Sequence, residues 1–172
     1  KETAALAVKE GAECIGFEAD VTDESTLAAA VKFAHRHWGR VDILHNNVGV
    51  SLSGGDATLL EFTEEIFDRV HAINLRGTIM ACIPVMRAQR CGVIINISSI
   101  AAWVDYPLVA YKATKAAMIA FTQQLALQNA SYGVRANVIL PGLMNTPMAV
   151  DTRAHAAGKS RESIAAERDA KV

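Results

Sequence analysis

Short runs rich in valine and isoleucine alternate with longer amphipathic stretches along this chain. The runs cover about residues 15–19, 41–45, 93–97 and 134–140, and they follow Gly11, Gly39, Gly92 and Gly133. Several runs are apolar almost throughout, which is typical of strands covered on both faces. Each glycine fits the position just past a helix end, where a left-handed backbone favours a residue without Cβ. The pattern therefore predicts four strands, each preceded by the end of a helix.

Longer helical patterns separate these runs. They cover residues 24–38, 63–88 and 111–131, and the second opens on Thr63, a favoured N-cap residue, followed by two acids. Pro84 lies inside the second pattern and predicts either a kink or a junction between two shorter helices. Strands and helices that alternate in this way predict an α/β fold with a doubly wound, mostly parallel sheet flanked by helices.

No linker or low-complexity tract interrupts the chain, so residues 1–172 are predicted to form a single domain. The tail from Asp151 turns polar and carries a weak helical signal in "SRESIAAERDAKV". Two interpretations stay open for residues 149–172: a mobile lid over a substrate, or a frayed chain end. The glycine-rich "SGGD" at 53–56 neither follows a strand directly nor opens a helix, which favours a flexible loop.

Composition narrows the classes of function. With 17 basic and 18 acidic residues the net charge is −1, which gives no electrostatic footprint for nucleic acid or an anionic membrane. Cys14, Cys82 and Cys91 are scattered without ligand spacing, and they fit buried thiols of a reducing compartment. His35 and His37 point to different sides of a helix. We therefore expect a cytoplasmic protein with no metal site and no membrane or nucleic-acid partner.

Unusual polar residues follow the predicted strands. In open α/β sheets, ligands bind beyond the carboxyl ends of the strands, and these ends meet at one edge. The residues that follow the runs are Asp20, Asn46, Asn47, Gly49, Asn96, Ser98, Ser99, Pro141 and Gly142. Each alone is a common turn signal, but their convergence on one edge predicts a ligand site there.

The stretch "AYKATKAAM" at 110–118 places Tyr111 one helical turn before Lys115. Residues i and i+4 on a helix have Cβ atoms about 5–6 Å apart. An ammonium about 4 Å from a phenolate attracts it by on the order of 4 kcal/mol in an intermediate dielectric. Tyr111 also lies in the first helical turn, where the dipole favours an anion. The spacing thus suits a tyrosine that exchanges protons, although a solvated helix face produces the same spacing.

An ordered set of motifs extends over nearly the whole chain. The set consists of "ADV" at 19–21, "NNVG" at 46–49, Asn74 in "INLRG", "IINISS" at 94–99, "YKATK" at 111–115, "GVRANVILPG" at 133–142 and "TPM" at 146–148. In order and spacing the chain resembles the short-chain dehydrogenase/reductase family. The resemblance implies a Rossmann-type, NAD(P)-binding catalytic domain. It also implies hydride transfer between NAD(H) or NADP(H) and a small-molecule alcohol or ketone.

The resemblance assigns catalytic roles to four residues. Asn74 would hold a water of a proton relay, or would be an ordinary amide at a helix kink. Ser99 would donate a hydrogen bond to the substrate oxygen, and Tyr111 would be the general acid/base. Lys115 would favour the deprotonated form of Tyr111 and would hydrogen-bond the nicotinamide ribose. Tyr111 and Lys115 therefore also count among the cofactor-binding residues.

Other matching residues would bind the cofactor alone. Asp20 and Val21 would flank the adenine ring. Asn46 and Gly49 would shape the floor beneath the adenosine half. Three further residues would line the nicotinamide side: Pro141, Gly142 and Thr146.

The chain departs from the family pattern in two places. Val48 stands where the family usually has alanine, which is a modest packing change. The segment from the serine pair to Tyr111 is one residue short, so Ser98 matches by spacing and Ser99 by position along the strand. Position along a strand sets the direction of a side chain, which favours Ser99.

The family's N-terminal Gly-rich motif and its final helix and strand find no match in this sequence. We therefore expect an internal segment of a longer enzyme, with a gap in its sheet between the first two predicted strands. The residue that separates NAD from NADP would lie outside the segment, so both cofactors stay open. Apolar side chains suggest the substrate pocket: Trp103, Val104, Tyr106, Leu108, Met144 and Met148.

Two further expectations concern function and assembly. A non-catalytic dinucleotide-sensing or scaffold protein of the same fold is the alternative to an enzyme. Family members commonly pair the helical segments 63–88 and 111–131 across a two-fold axis, which implies a homodimer or homotetramer. Phe121 and Leu125 are spaced to join that apolar interface, or to pack on the sheet of their own subunit.

Overall fold

The computed structural model describes residues 2–78 and 83–170. Residues 79–82 of the second predicted helix, with Cys82, and the last two residues of the candidate lid lie outside the described residues. The described strands are β1 (Ile43–Asn46), β2 (Gly92–Ile97) and β3 (Val134–Ile139). The described helices are α1 (Glu2–Lys9), α2 (Glu24–Trp38), α3 (Glu64–Asn74), α4 (Ile83–Gln89), α5 (Val109–Asn129), α6 (Asp151–Ala157) and α7 (Arg161–Asp169).

The strands form a parallel sheet in the order β1, β2, β3. In its register Asn46 lies opposite Asn96, and Ile97 lies opposite Ile139. All three strands therefore end at the same edge, as the sequence predicts for an α/β fold with a parallel sheet. The strands and helices after residue 90 follow the predicted bounds within a few residues, and α5 begins at Val109.

Residues 15–19 do not form the predicted first strand. The backbone there is neither helix nor strand, and Ile15 and Phe17 are 38% and 43% exposed. A strand needs a neighbour for its N–H and C=O groups, and no described segment pairs with this one. The ring of Phe17 instead packs on Phe33 of α2, with 5.3 Å between the ring centroids. An apolar side chain of this run thus packs on a helix, and the run does not join a sheet.

The second helical pattern is divided, because α3 ends at Asn74 and a 3₁₀ turn follows at Arg76–Thr78. This break lies before Pro84, which is within the described part of α4, Ile83–Gln89. Thr63 caps α3 by accepting a hydrogen bond from the N–H of Ile66.

Three of the four predicted left-handed glycines are confirmed, and one is wrong. Gly11, Gly39 and Gly133 have φ values of +83°, +76° and +71°. At the fourth junction Arg90 takes the left-handed backbone, with φ of +58°, and Gly92 opens β2. A Cβ on Gly92 would lie 2.6 Å from the Cγ of Met86, so close packing of α4 on β2 requires this glycine.

The main core lies between the sheet and α5. Its buried members are Met86, Ile94, Leu125 and Val134, and Phe121 packs against them. Of the two uses proposed for Phe121 and Leu125, packing on their own sheet is the one that the structure shows. Assembly into dimers or tetramers stays a prediction.

The tail forms an ordered helical pair. Val150, Ala154 and Ile164 make a small buried cluster between α6 and α7. The weak helical signal of "SRESIAAERD" is thus confirmed, and a frayed end is wrong for residues 151–169. The lid role stays a prediction. None of the described helices is both long and apolar enough to cross a membrane.

Candidate active site

A cavity of about 530 Å³ opens at the carboxyl edge of the sheet. The segments after β2 and β3, the first turn of α5, and helices α6 and α7 surround it. Three of the predicted site residues line it together: Ser99, Tyr111 and Gly142. The edge that sequence patterning selected is therefore the edge where the structure forms a cavity.

Tyr111 and Lys115 lie one above the other on α5. The Nζ atom of Lys115 is 5.5 Å from the centroid of the Tyr111 ring. Tyr111 is the third residue of the helix, so the prediction that it occupies the first turn is confirmed. The start of the helix and the ammonium of Lys115 therefore both lie close to the Tyr111 ring.

Lys115 is a buried cation, only 4% exposed. Its Nζ donates a hydrogen bond of 2.8 Å to the carbonyl of Ile97 at the end of β2. Burial lowers the pKa of Lys115 from 10.5 to about 8. At neutral pH the ammonium is therefore still mostly protonated, close to the phenol and to Gly49.

The two serines after β2 have different surroundings. Ser98 is buried and its hydroxyl donates a 2.6 Å hydrogen bond to the carbonyl of Lys115. Ser99 faces the cavity, and its Oγ accepts a 3.2 Å hydrogen bond from the N–H of Ala101. The proton of Ser98 is thus committed to the helix, whereas the proton of Ser99 stays available to a ligand.

Asn74 is fully buried between the segment after β1 and α5. Its Oδ1 accepts from the N–H of Val50 at 2.7 Å, and its Nδ2 donates to the carbonyl of Val50 at 2.9 Å. The second Nδ2 proton reaches the hydroxyl of Thr114 at 3.2 Å. These bonds hold the segment after β1 against α5, and both amide donors of Asn74 are used within the protein.

Gly49 and Asn46 follow β1 in different environments. A Cβ on Gly49 would lie 3.3 Å from both Asn74 Oδ1 and Lys115 Nζ, so the absent side chain keeps space beside the lysine. The amide of Asn46 donates to Oδ1 of Asn96 on the neighbouring strand at 2.8 Å. Asn46 therefore joins two strand ends.

The predicted adenine residues lie away from the Tyr111 cavity. Val21 lines a separate cavity of about 410 Å³. Asp20 is exposed and accepts bonds from both the N–H and the hydroxyl of Thr22, which lower the pKa of its carboxyl. The two cavities share no lining residue, so this structure does not join the two halves of the predicted cofactor site.

The remaining nicotinamide-side residues hold the segment after β3. The carbonyl of Pro141 accepts a 3.1 Å hydrogen bond from the N–H of Ile100, which ties this segment to the one after β2. Thr146 is exposed, and its hydroxyl accepts from the N–H of Ala149. Of these three residues, Gly142 alone lines the cavity.

The predicted apolar pocket is right in part. Val104, Tyr106, Leu108 and Met148 line the cavity. Trp103 and Met144 do not, and their side chains are 73% and 56% exposed. The irregular segments after β2 and β3 carry both residues, and no periodic pattern there shows which side chains point inward.

The far end of the cavity is polar, which the sequence did not reveal. Arg153 of α6 donates to the hydroxyl of Tyr106 at 2.7 Å, and Arg168 and Glu167 of α7 also line the cavity. Burial raises the pKa of Tyr106, so its hydroxyl stays protonated. Within residues 2–78 and 83–170, no group of three or more His, Cys, Asp or Glu side chains could hold a metal ion.

Sequence reasoning also missed the residues that hold the first turn of α5. The segment "SGGD", predicted as a flexible loop, is held in place, because Asp56 is 3% exposed and bonds to the backbone of Ala110 and Tyr111. Lys112 donates from its Nζ to the carbonyl of Ala101 at 3.1 Å and so holds the segment after Ser99. Local capping patterns could not identify Asp56, since 54 residues separate it from Ala110.

Comparison with known proteins gives this geometry a context. The family model described as short chain dehydrogenase matches residues 1–157. The chain therefore belongs to the short-chain dehydrogenase family, as the sequence motifs predict. Its parallel sheet flanked by helices is that of a domain whose structural neighbours have the Rossmann fold.

Among curated relatives, 2-(R)-hydroxypropyl-CoM dehydrogenase of Xanthobacter autotrophicus is 37% identical over 134 residues, 76% of this chain and 54% of that protein. The solved structure of levodione reductase aligns with a TM-score of 0.86 and 30% identity, over 96% of this chain and 65% of its own. NAD+-bound xylitol dehydrogenase aligns with a TM-score of 0.78 and 33% identity, over 83% of this chain and 56% of its own. The chain thus spans little more than half the length of the first of these relatives.

Proposed function

We propose that this chain carries the catalytic centre of an oxidoreductase that transfers hydride between a nicotinamide cofactor and an alcohol or carbonyl group. The observation that carries the proposal is the common cavity of Ser99 and Tyr111, with the buried ammonium of Lys115 beneath the tyrosine ring. Membership of the short-chain dehydrogenase family supports the same reaction class.

Ser99 is the residue that binds the substrate oxygen. Because its Oγ accepts from the N–H of Ala101, its own proton is free to donate to an oxygen in the cavity. The bond from Ala101 also polarises the hydroxyl and strengthens it as a donor. The proposed mechanism does not use Ser98 in this role, because its hydroxyl donates a hydrogen bond to the backbone carbonyl of Lys115.

Tyr111 moves the proton. In the oxidation direction its phenolate takes the hydroxyl proton of the alcohol while the carbon-bound hydride leaves. In the reduction direction its phenol returns that proton to the new alkoxide. Lys115 stabilises the phenolate electrostatically, and Asn74 holds the backbone at Gly49 and Val50 against α5, so the space beside Lys115 stays open.

The residues around Lys115 fit a nicotinamide cofactor. The ammonium has three N–H donors and gives one of them to Ile97, so two remain for ribose hydroxyls. A side chain at Gly49 would crowd this ammonium. When bound, the cofactor supplies the hydride acceptor or donor. The NAD+-bound relative supports a nicotinamide cofactor, and NAD and NADP stay equal candidates.

The cavity favours a small substrate that is apolar near its reacting carbon. Leu108, Val104 and Met148 surround the space beside Ser99 and Tyr111. A secondary alcohol or a ketone presents one hydrogen-bonding oxygen and apolar carbons to such a wall. We therefore propose small alcohols and ketones as the substrate class.

The test is a nicotinamide absorbance assay of the complete protein that contains this chain, with a panel of carbonyl compounds and alcohols and both cofactors. We expect turnover with some member of the panel. Ser99→Ala should reduce kcat by at least 10-fold. Ser98→Ala keeps Ser99 and should reduce kcat by a smaller factor. Cofactor binding without turnover across the panel would favour a dinucleotide sensor, and equal losses in both serine variants would remove Ser99 from its assigned role.

A further inference from the structure

Asp56 makes an unusual set of contacts for a carboxylate that is 3% exposed. Its Oδ1 accepts from the N–H of Ala57 at 2.9 Å and from the N–H of Ala110 at 3.1 Å. Its Oδ2 accepts from the N–H of Tyr111 at 2.6 Å. Three backbone amides therefore hold the charge, and one of them belongs to the proposed general acid/base.

These bonds replace a local cap on α5. The residue before the helix is Leu108, whose side chain cannot accept a hydrogen bond. The first N–H groups of a helix have no acceptor within the helix. In α5 the N–H of Val109 bonds to the carbonyl of Ala57, and the next two N–H groups bond to Asp56. Residues 56 and 57 thus satisfy the helix start from a distant part of the chain.

Helix α3 holds this cap in place. Arg69 donates from Nε to the carbonyl of Gly54 at 2.8 Å, and Asn74 bonds to both backbone groups of Val50. Gly55 has a φ of +83° and turns the chain between Gly54, which Arg69 holds, and Asp56. Arg69 and Asn74 lie in the second half of α3, away from its cap at Thr63, and tie the segment that carries Asp56 to that helix. Asp56 in turn ties this segment to the backbone of Tyr111.

We propose that Asp56 is a positioning residue for Tyr111: its carboxylate anchors the backbone of the proton-transfer residue from a distant part of the chain. The proposal rests on the function proposed above for Tyr111.

Other contacts fix the Tyr111 ring once its backbone is held. Lys115 lies beneath the ring, Tyr106 packs on it with centroids 5.5 Å apart, and Arg153 bonds to the hydroxyl of Tyr106. None of these contacts holds the backbone of the first turn of α5. Loss of the Asp56 anchor should therefore loosen the ring of Tyr111 in the cavity.

The test compares Asp56→Asn and Asp56→Ala with Thr63→Ala, which removes the cap of α3 away from the cavity. Turnover is measured well below the melting temperature of each variant. We expect kcat to fall at least 10-fold in Asp56→Ala and less in Asp56→Asn, which keeps one acceptor for the helix. The KM of the cofactor should change less than 3-fold. Thr63→Ala should lower the melting temperature and leave kcat unchanged.

A second measurement does not depend on turnover. The near-ultraviolet circular dichroism of each protein is compared with that of the same protein carrying Tyr111→Phe, and the difference reports how firmly the Tyr111 ring is held. This difference signal should be weaker in Asp56→Ala than in the parent and should be kept in Thr63→Ala. A kcat like that of the parent, or an unchanged difference signal, would overturn the proposal. An inactive parent whose difference signal is lost in Asp56→Ala would instead refute the proposed function and leave the positioning role of Asp56 supported.

Discussion

The two halves of α5 both bury polar side chains, Thr114 and Lys115 in the first and Thr122 and Asn129 in the second, but only the second half adds side chains to the main apolar core. The half that begins at Val109 buries polar side chains, with Thr114 bonded to Asn74 and Lys115 bonded to the end of β2. The half that ends at Asn129 places Leu125 in the apolar core with Phe121 beside it. Hydrophobic burial in the second half stabilises the fold, and the first half uses that stability to hold polar groups in fixed positions.

Substitutions along this single helix should therefore separate function from stability. Changes in the first half should affect turnover with little effect on folding, or even with a gain in stability. Changes in the second half should affect folding and leave the chemistry intact.

The largest expected effect is the loss of turnover in Tyr111→Phe. The substitution removes one oxygen and keeps the ring, so packing against Tyr106 and Lys115 should persist. Positioned acid/base groups contribute about 10²–10⁴-fold to rate, and kcat should fall by at least that much. The melting temperature and cofactor affinity should stay close to those of the parent. Tyr132→Phe, whose ring packs under Arg87 at the other end of α5, is the control and should keep full turnover.

If Tyr111→Phe retained most of its turnover, or lost stability and cofactor binding together, the tyrosine would be structural. The first half of α5 would then not have the catalytic role that separates it from the second half.

The next effect is the destabilisation caused by Leu125→Ala. Leu125 is 4% exposed in the main core, and truncation of a buried leucine costs about 2–5 kcal/mol in free energy of unfolding. Denaturant unfolding measures this loss, and kcat well below the melting temperature should stay within 2-fold of the parent. Leu127→Ala, at a position 75% exposed on the same helix, should change neither quantity. A kcat loss in Leu125→Ala under folded conditions would show that the two halves are coupled.

The smallest effect has the opposite sign, because Lys115→Met should raise stability near neutral pH. Burial lowers the pKa of Lys115 to about 8, which means that the folded state disfavours the charged form. After subtraction of the hydrogen bond to Ile97 that the variant loses, Lys115→Met should gain roughly 1–3 kcal/mol in free energy of unfolding. The unfolded chain binds more protons between pH 8 and 10.5, and the parent therefore gains stability as the pH rises through this window. The advantage of Lys115→Met should be full below pH 8 and should vanish by about pH 10.5.

Thermal unfolding across that pH range, with exposed Lys32→Met as the control, measures the difference. Turnover of Lys115→Met should fall at every pH. Equal stability of parent and variant at all pH values would mean that burial of the ammonium carries no penalty.

The strand-rich runs at 93–97 and 134–140 and the helix that contains Tyr111 could be predicted because each pattern lies in a short segment. The same is true of the Tyr111–Lys115 pair, since helical periodicity brings residues i and i+4 together without any tertiary contact. The run at 15–19 has the same local character, yet it does not become a strand because pairing requires a neighbour that local sequence does not specify.

The residue types that meet at the carboxyl edge of the parallel sheet could be predicted from the sequence, because strand direction and helical spacing are local properties. The packing of distant segments places Ser98 against α5 and Ser99 in the cavity, and it leaves Trp103 and Met144 exposed outside the cavity lining. The same packing brings Asp56 to the backbone N–H of Tyr111. These contacts join segments far apart in the chain, and their geometry depends on how α3, the sheet and α5 pack together.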